Sequence, residues 1–302
     1  MAILGLVTVL YNSDDVLDDF FRSLSVQNFT DYHLYMIDNS PSEKTDEIVK
    51  RLAKKYAIPA YTHVKNEGNF GVAKGNNQGI RLSLEAGCDY VILLNNDIEF
   101  KQPFLLHDLV TCAVEQKEEI VFPKVMYYGT RKIQVAGGKF ILYKGTTIGF
   151  GLYEQDSERY SKSGHFDYAP TCFMLISRKV FEAIGYMDEK YFVYWDDDDF
   201  VYRAITHGFK LYFLAHLEIF HKASFSTGGH ESLFSVYQLN RNRLYFIRKN
   251  FKFPLKQVAL GHALLTKGIQ YLFYYDKERR KALKKAFNDG FFKMPVGTEA
   301  KG

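Results

Sequence analysis

The amino-acid sequence predicts an α/β fold whose N-terminal part is organised around parallel strands. In the first hundred residues, short apolar runs such as ILGLVTVLY, HLYMID and YVILLNND alternate with amphipathic segments of helical length. Strands that alternate with helices in this way form βαβ units. In open sheets of this kind, ligands bind beyond the carboxyl ends of the strands. The first candidates for function are therefore the polar residues at those ends: Tyr11, Asn12, Asp38, Asn39, Asn95, Asn96 and Asp97.

The rest of the chain changes character twice. From about residue 120 to 177, β-branched and aromatic runs separated by Gly and Ser predict antiparallel strands, with a loop near residues 145–164. HGFKLYFLAHLEIFHK predicts a strand pair, and the pattern from residue 230 to about 292 is helical, before a tail, TEAKG, that we expect to lack fixed structure. We therefore predict a domain over residues 1–229 and a helical extension over residues 230–302.

Composition and charge exclude several classes of protein. The 302 residues, 47% of them apolar, are enough for one large domain with an appendage. A net charge of +4, from 39 basic and 35 acidic residues, gives no global field that would attract nucleic acid. Cys88, Cys112 and Cys172 are widely spaced, which indicates buried thiols rather than disulfides or a cysteine zinc site. No basic leader and no run of 18 apolar residues is present, so we expect a cytoplasmic protein without a spanning helix.

LLNNDIEF delivers Asn95, Asn96 and Asp97 to the end of a very hydrophobic strand. One carboxylate beside amides suits a hard divalent cation that keeps open positions for phosphate oxygens. The alternative is an ordinary turn, because Asn and Asp close strands in many proteins. His221, after the strand-like LEIF, is a second candidate ligand, although a lone His is more often structural.

KNEGNFGVAKGNNQG is rich in glycine and leads into a predicted helix. Its glycines would let the backbone approach a ligand, and the helix N-terminus offers N–H groups to an anion. The segment matches neither the P-loop pattern nor GxGxxG, so a close contact between helix and sheet explains it equally well.

WDDDDFVYRA places four carboxylates in a row between aromatic residues. The run predicts a helix that begins near Asp196, because the helix dipole favours acids in the first turn. Helical spacing pairs Asp199 with Arg203 and puts Asp197 on the apolar, packed side, which suits a general base. Capping and a solvated face would explain Asp196 and an outward-pointing Asp198, but they explain Asp197 poorly.

DKERRKALKKAF, near the C-terminus, carries six basic residues against two acidic ones, a local charge of +4 beside the aromatic run LFYY. This surplus suits the edge of an anionic membrane. A merely solvated helix is nearly as good an interpretation.

In chain order, these segments resemble the family 2 inverting glycosyltransferases of the GT-A fold, especially a bacterial branch that includes rhamnosyltransferases and other polysaccharide-assembly enzymes. The resemblance covers nearly the whole chain and rests on seven segments: VTVLYNS, YMIDNSPS, KNEGNFGVAKGNNQGI, VILLNNDIEF, FEAIGYMDEKYFVYWDDDDFVYRAITHGFKLYF, IFHKASFS and QLNRNRLYFIRKN. It implies the Rossmann-like fold of nucleotide-diphosphosugar transferases, with a central mixed sheet, flanking helices and a C-terminal helical extension.

The resemblance implies a nucleotide-sugar site. In the family, the first-strand turn and the second-strand Asp bind base and ribose, and the glycine-rich segment lies beside the nucleotide. The residues that we assign to the nucleotide sugar on this basis are Tyr11, Asn12, Asp38, Asn69, Gly71, Asn76, Asn95, Asn96 and Arg203. Arg241 and Arg243 of the RNR segment would lie near the diphosphate or on a membrane side.

The resemblance also implies a metal ion, Mg²⁺ or Mn²⁺. The family's DxD motif corresponds to Asn95, Asn96 and Asp97, and Asn95 replaces the first acid. Metal binding would therefore rest on Asp97, with His221 in the place of a His that completes the metal site in related enzymes.

The family's Glu-Asp motif, whose Asp is the catalytic base, aligns with Asp196 and Asp197. Here Asp196 replaces the usual Glu, so both residues are catalytic candidates and the choice of base stays open.

The implied reaction is an inverting transfer from a nucleotide-diphosphate sugar to a hydroxyl of a glycan or lipid-linked acceptor, in bacterial cell-surface polysaccharide synthesis. The implied setting is the inner face of the membrane, with contact through the basic C-terminal helix, and with a homo-oligomer as an option. Two alternatives stay open: a glycosidase, which also uses paired acids, and a non-catalytic member that binds nucleotide sugar or glycan within an assembly complex. The sequence does not identify the sugar or the acceptor.

Overall fold

The computed structural model describes residues 4–222 and 232–296. The predicted domain boundary at residue 230 and the tail TEAKG both lie outside these ranges, so the division into two domains stays a prediction.

One mixed sheet dominates the structure. Its strands in chain order are β1 (Leu4–Leu10), β2 (Tyr32–Asp38), β3 (Tyr61–Lys65), β4 (Tyr90–Leu94), β5 (Ile98–Glu99), β6 (Ile120–Tyr127), β7 (Ile133–Val135), β10 (Gly164–Phe166), β11 (Phe173–Ser177) and β12 (Leu211–His221). Strands β8 (Gly138–Ile141) and β9 (Thr146–Gly149) form a separate hairpin. Strand β9 lies within the loop predicted near residues 145–164, which also holds a short 3-10 helix over Glu158–Tyr160.

The strand order is β10-β12-β6-β11-β4-β1-β2-β3. Strands β3, β2, β1 and β4 run parallel, as the βαβ pattern predicted, while β11 is antiparallel to both β4 and β6. The predicted strand pair after residue 207 is wrong. A single strand, β12, runs parallel to β6 with an irregularity between Leu214 and Glu218, because no turn residues interrupt this segment.

Nine helices surround the sheet in the part of the chain that the structure describes. They are α1 (Leu17–Ser25), α2 (Lys44–Lys55), α3 (Val72–Glu85), α4 (Leu105–Glu115), α5 (Arg178–Ile184), α6 (Asp196–Thr206), α7 (Leu233–Asn250), α8 (Leu255–Phe273) and α9 (Lys277–Asn288). A π-helical turn, Asp289–Lys293, follows α9.

Two apolar cores cover the faces of the sheet. Successive residues of a strand point to opposite faces, so Leu6 packs with α1, α2 and α4, whereas Val7 packs with α3, α5 and α6. Cys88, Cys112 and Cys172 are buried free thiols, as predicted. A mixed sheet between two helical layers confirms the predicted α/β class.

A third apolar cluster joins the C-terminal helices to the acidic run. Tyr191 and Trp195 pack there with Tyr245, Phe246 and residues of α8. The ring centroids of Trp195 and Phe246 are 5.3 Å apart. The C-terminal helices therefore support the start of α6 directly.

Helix α3 lies close against β1 because glycines face the strand. A Cβ atom at Gly75 would lie 2.7 Å from Cγ2 of Val9, a contact too short for carbon atoms. Valine has little rotamer freedom with which to relieve such a clash. The glycines therefore place the N-terminal turn of α3 over the carboxyl end of β1.

We expect Gly75→Ala to lower the free energy of unfolding by about 1–3 kcal/mol, because the added methyl group overpacks the contact with Val9. Gly268→Ala is the matched control. Gly268 is also helical, in α8, but has open space around it. That variant should gain up to about 1 kcal/mol from helix propensity. Chemical denaturation measures both, and equal effects would contradict the close contact of α3 with β1.

Candidate active site

A cavity of about 570 Å³ opens beyond the carboxyl ends of β1 and β4. Its walls come from the turn after β1, the start of α3, the end of β4 and the start of α6, together with aromatic side chains of the middle segment. Ten of the thirteen residues selected from the sequence line it: Tyr11, Asn69, Gly71, Asn76, Asn95, Asn96, Asp97, Asp196, Asp197 and His221. The sheet topology thus brings together residues as far apart in the chain as Tyr11 and His221.

One corner of the cavity has the chemistry of a metal site. Nε2 of His221 lies 3.1 Å from Oδ1 of Asp97 and 3.3 Å from Nδ2 of Asn95. On the other side of the ring, Nδ1 of His221 lies 3.0 Å from Oε1 of Gln134, which fixes the orientation of the ring. Nε2 therefore faces Asp97, as in a histidine oriented for a metal.

The donor set of this corner fits a hard divalent cation that completes its coordination with substrate oxygens. Burial alone would raise the pKa of Asp97, but the hydrogen bond and charge of His221 hold that pKa below its ordinary value. The carboxylate is therefore ionised at neutral pH. Within residues 4–222 and 232–296, no group of three or more His, Cys, Asp or Glu side chains is arranged to hold a metal by itself.

The opposite wall is formed by the acidic run, which a sharp backbone turn brings to the cavity. Tyr194 and Trp195 both have positive φ angles, 64° and 71°, and α6 begins immediately after them at Asp196. Bulky residues rarely adopt this left-handed conformation, and each one costs about 1–3 kcal/mol unless the surroundings enforce it.

Two elements hold this turn. Nδ2 of Asn242, a fully buried residue of α7, donates hydrogen bonds of 2.9 Å to the carbonyls of both Val193 and Tyr194. From the other side, the N–H of Val72 in α3 donates to the carbonyl of Phe192 at 2.7 Å. The strained turn is thus fixed between α3 and α7.

Asp196 and Asp197 line the cavity, and Asp197 is the most exposed of the four acids. The helical phasing had placed Asp197 on a packed side and Asp198 outward. The outward position of Asp198 is wrong, because its carboxylate is 9% exposed and accepts a 2.8 Å hydrogen bond from Thr147. The reason is that β9 covers this side of α6, which spacing within the helix does not reveal.

Burial raises the pKa of Asp196 to about 8, with the charge of Asp197 as the second cause. Burial also raises the pKa of Asp197, although hydrogen bonds from the N–H of Asp198, from the side chain of Asp198 and, less strongly, from the side chain of Tyr168 offset this. The pKa of Asp198 is raised strongly by burial and by Asp197. Three neighbouring acids therefore compete for protons. Of the three, Asp197 accepts the hydrogen bonds that best stabilise a negative charge.

Asp199 belongs to a buried ion network rather than to the cavity. It is fully buried, and its carboxylate is 2.9 Å from Nε of Arg203 and 3.0 Å from Nζ of Lys249. Lys249 also lies 2.8 Å from Asp188. This network joins α6 to α7, and it confirms the predicted pairing of Asp199 with Arg203.

Three residues assigned to the nucleotide sugar do not line the cavity. Arg203 donates to Asp199 and to the carbonyls of Ile184 and Tyr186, so each nitrogen of its guanidinium makes a structural contact. We therefore reassign Arg203 to the support of α6.

Asp38 and Asn12 have local roles on the β2 side of the turn. The Asp38 carboxylate is fully buried and accepts hydrogen bonds from the N–H of Ser40 and from Nζ of Lys65, 3.1 Å away. Asn12 has a φ of 50° and donates its N–H to Oγ of Ser40. Both residues shape the loop beside the cavity. The residues next to them in the chain, Tyr11, Ser13 and Asn39, line the cavity.

Two lining residues also have structural duties. Gly71, with a φ of 83°, packs so closely on the carbonyl of Phe192 that no Cβ could fit. Nδ2 of Asn96 donates to the carbonyl of Val9 at 2.6 Å and so ties β4 to β1. The interpretation of the glycine-rich segment as a close packing contact is thus correct for Gly71.

Several residues of the site were not predicted from the sequence. Tyr127 and Tyr153 stack at the cavity wall with ring centroids 4.9 Å apart, and Tyr168 faces Asp197. In the RNR segment, the residues predicted to matter were Arg241 and Arg243, but it is the buried Asn242 between them that holds the turn before α6. The sequence signal that could have identified Asn242 is a polar residue at a buried position of a helix.

The profile of one family, Glycosyl transferase family 2, matches residues 6–185, more than half of the chain. The chain belongs to glycosyl transferase family 2. The matched region includes β1, the glycine-rich start of α3 and the Asn95–Asp97 corner, and the resemblance seen in the sequence is thereby confirmed. As a member of this family, the protein is a glycosyltransferase.

Two relatives and one solved structure extend the comparison. The low-salt glycan biosynthesis hexosyltransferase of Haloferax volcanii is 26% identical over 243 residues, 80% of this chain and 74% of that protein. A dTDP-rhamnosyl transferase of Shigella flexneri is 25% identical over 169 residues, 51% of this chain and 49% of that protein. A mannosyltransferase of Pyrobaculum calidifontis, solved with GDP-Man and Mn²⁺, superposes with a TM-score of 0.59 at 13% identity, covering 97% of this chain and 88% of that one. This likeness supports the GT-A fold expected for the family 2 glycosyltransferase.

We expect Lys249→Met to lower the free energy of unfolding by about 3–5 kcal/mol at pH 7, because it leaves Asp188 and Asp199 buried without their shared cation. Chemical denaturation of the variant and of Lys252→Met, a change at an exposed lysine, measures the difference.

The pKa of Asp188 gives this effect a pH dependence. Burial raises that pKa, but the charge of Lys249 and other contacts hold it below the ordinary value of 3.8. A depressed carboxyl pKa stabilises the fold above the ordinary value, and the stabilisation is lost as pH falls. The gap between wild type and Lys249→Met should therefore shrink below about pH 4, and a constant gap would contradict the ion network.

Proposed function

We propose that this family 2 glycosyltransferase inverts the anomeric centre as it moves a sugar from a nucleotide-diphosphate donor to a hydroxyl of a glycan or lipid-linked acceptor. The observation that carries the proposal is that Asp197 and the Asp97–His221 pair face one cavity. The relatives named as a hexosyltransferase and a dTDP-rhamnosyl transferase, and the neighbour bound to GDP-Man and Mn²⁺, support a nucleotide-sugar donor.

On the acceptor side, Asp197 would act as the general base. Its carboxylate takes the proton of the acceptor hydroxyl while the hydroxyl oxygen attacks the anomeric carbon. The new glycosidic bond forms on one face of the anomeric carbon while the bond from that carbon to the diphosphate oxygen breaks on the opposite face. The nucleoside diphosphate leaves with the electron pair of the broken bond. A positioned base of this kind contributes about 10²- to 10⁴-fold to the rate.

Asp196 would hold the proton that the pair of acids shares. Its pKa, raised by burial and by Asp197 to about 8, keeps it neutral at pH 7. Two neighbouring buried carboxylates that repel one another cannot both ionise easily, so a protonated Asp196 leaves the negative charge on Asp197. This division of roles makes Asp197 the base and Asp196 the group that adjusts its pKa.

On the donor side, Asp97 and His221 would hold Mg²⁺ or Mn²⁺, with Asn95 beside them. A divalent cation bound there supplies neutralisation of the charge on the leaving diphosphate. Gln134 fixes the ring of His221, and Asn96 fixes the end of β4, so both protein ligands are held in place.

The proposed setting is the assembly of bacterial cell-surface polysaccharide at the inner face of the cell membrane. A second candidate function is a non-catalytic, sugar-nucleotide-binding subunit of an assembly complex. The observation that favours this second candidate is Asn95, which stands where the family motif has an acid. Release of free nucleoside diphosphate in the presence of acceptor would exclude it.

The donor can be identified by thermal-shift titration with UDP-, dTDP- and GDP-sugars, with and without Mn²⁺. We expect one class of nucleotide to stabilise the fold, and more strongly when Mn²⁺ is present. Stabilisation by none of them, with or without metal, would contradict a nucleotide-sugar site.

We expect Asp197→Asn to lower kcat by about 10²- to 10⁴-fold while donor affinity stays within a few-fold, because only the base is lost. Asp198→Asn is the matched control. Asp198 lies on the same helix, and burial keeps its pKa high, so an amide that still accepts from Thr147 mimics the native protonated acid. Its kcat should stay within a few-fold of wild type. If both variants lost activity equally, or if Asp197→Asn kept its kcat, the assignment of the base would be wrong.

We expect His221→Ala to weaken Mn²⁺ binding by about tenfold or more, measured by calorimetry in the presence of the preferred nucleoside diphosphate. His216→Ala is the control, since His216 lies on the same strand but is exposed and paired with Asp108. Unchanged Mn²⁺ affinity in His221→Ala would remove that residue from the metal site, whatever its effect on turnover.

A further inference from the structure

Helix α8 turns its large apolar side chains away from the protein. Ala259 and Ala263 are the buried residues of this helix, and the partly buried Leu255 and Leu260 pack with them against the body of the molecule. The exposed large apolar residues of the helix are Val258, Leu264, Leu265, Ile269, Tyr271, Leu272 and Phe273. Exposure reaches 67% for Leu265 and 75% for Phe273. A surface helix of a globular protein shows the opposite arrangement.

Most of the exposed residues share one side of α8. At about 100° per residue, the exposed apolar side chains other than Leu264 and Tyr271 lie within roughly 80° of Leu265, and those two lie roughly 100–120° from it. The two lysines of the helix, Lys256 and Lys267, lie roughly 160–180° away from Val258 on the same reckoning. The outward side of α8 therefore has no charged residue, which a solvated helix face would normally have.

Basic residues lie next to this apolar face. Helix α9 begins after a short connection and carries six basic residues against two acidic ones over residues 276–285. Arg280 joins the two helices, since its Nη2 donates to the carbonyl of Leu272 at 3.0 Å and its guanidinium lies over the ring of Tyr271. An apolar surface is thus bordered by net positive charge.

We propose that the outward face of α8 docks into the surface of an anionic lipid bilayer, with the cations of α9 on the lipid headgroups. Apolar insertion and attraction to anionic lipid together give stable interfacial binding. No helix in the described ranges is long and apolar enough to cross a bilayer, so α8 lies in the plane of the interface. Contact with a second copy through the same face would bring two α9 segments of like charge together, which disfavours that occupant.

This surface is separate from the catalytic cavity, and its role can be tested without sugar transfer. The full-length protein is mixed with vesicles of phosphatidylcholine alone or with added phosphatidylglycerol, and the bound fraction is measured by flotation. We expect binding to the anionic vesicles and weaker binding as salt is raised. No binding by the wild-type protein would overturn the proposal.

Two variants locate the contact. Leu265→Glu combined with Leu272→Glu should lower vesicle binding at least tenfold, since both side chains are exposed and the fold does not depend on them. Val114→Glu, at an exposed apolar residue of α4, should bind like wild type. Equal binding by the α8 double variant would overturn the proposal. So would sedimentation that showed a wild-type dimer, absent in the double variant, together with no vesicle binding, because the face would then join two copies.

Discussion

The backbone turn from Phe192 to Trp195 is the constraint on which the rest of the site depends. Two adjacent bulky residues in the left-handed conformation store strain, and they persist because neighbouring elements hold them. Asn242 binds the carbonyls of Val193 and Tyr194, and Val72 donates to Phe192 from the other side. Helix α6 begins directly after the turn, so the first two acids of α6, Asp196 and Asp197, face the cavity. Without it, α6 would begin elsewhere and its first two carboxylates would not face the ends of the strands.

The cavity gains its chemistry from two walls of different origin. The parallel strands deliver Asp97 to the edge of the sheet, and β12 delivers His221 beside it. The opposite wall is a helix start supported by C-terminal helices that lie outside the matched family region. Burial there raises the pKa of Asp196 and leaves Asp197 as the better-compensated anion. In the proposed reaction, this separation would let one wall favour negative charge on the leaving group while the other receives a proton.

The features that could be predicted are those that depend on the sequence pattern of a single segment. Apolar runs ending in Asn or Asp predicted the edge of the sheet at which the cavity opens, and the family resemblance predicted that Asp97 and His221 lie together. Arg203 and Asp38 could not be placed in this way, because their partners come from elsewhere in the chain and occupy their charged groups. The predicted outward position of Asp198 was wrong for the same reason, because β9, from elsewhere in the chain, covers that side chain. Asn242 was missed because a side chain that holds a distant turn leaves no signal in its own segment beyond its polarity.

The central claim is that a single displacement occurs in this cavity, with Asp197 taking the proton of the acceptor. The most direct test is the anomeric configuration of the first-formed product, read from the ¹H NMR coupling constant or, for a mannose-like sugar, from the one-bond C–H coupling. With the donor identified, the account predicts a glycosidic bond of configuration opposite to that of the sugar in the donor. A product that retains the donor's configuration would contradict it, because retention cannot arise from one displacement assisted by a general base.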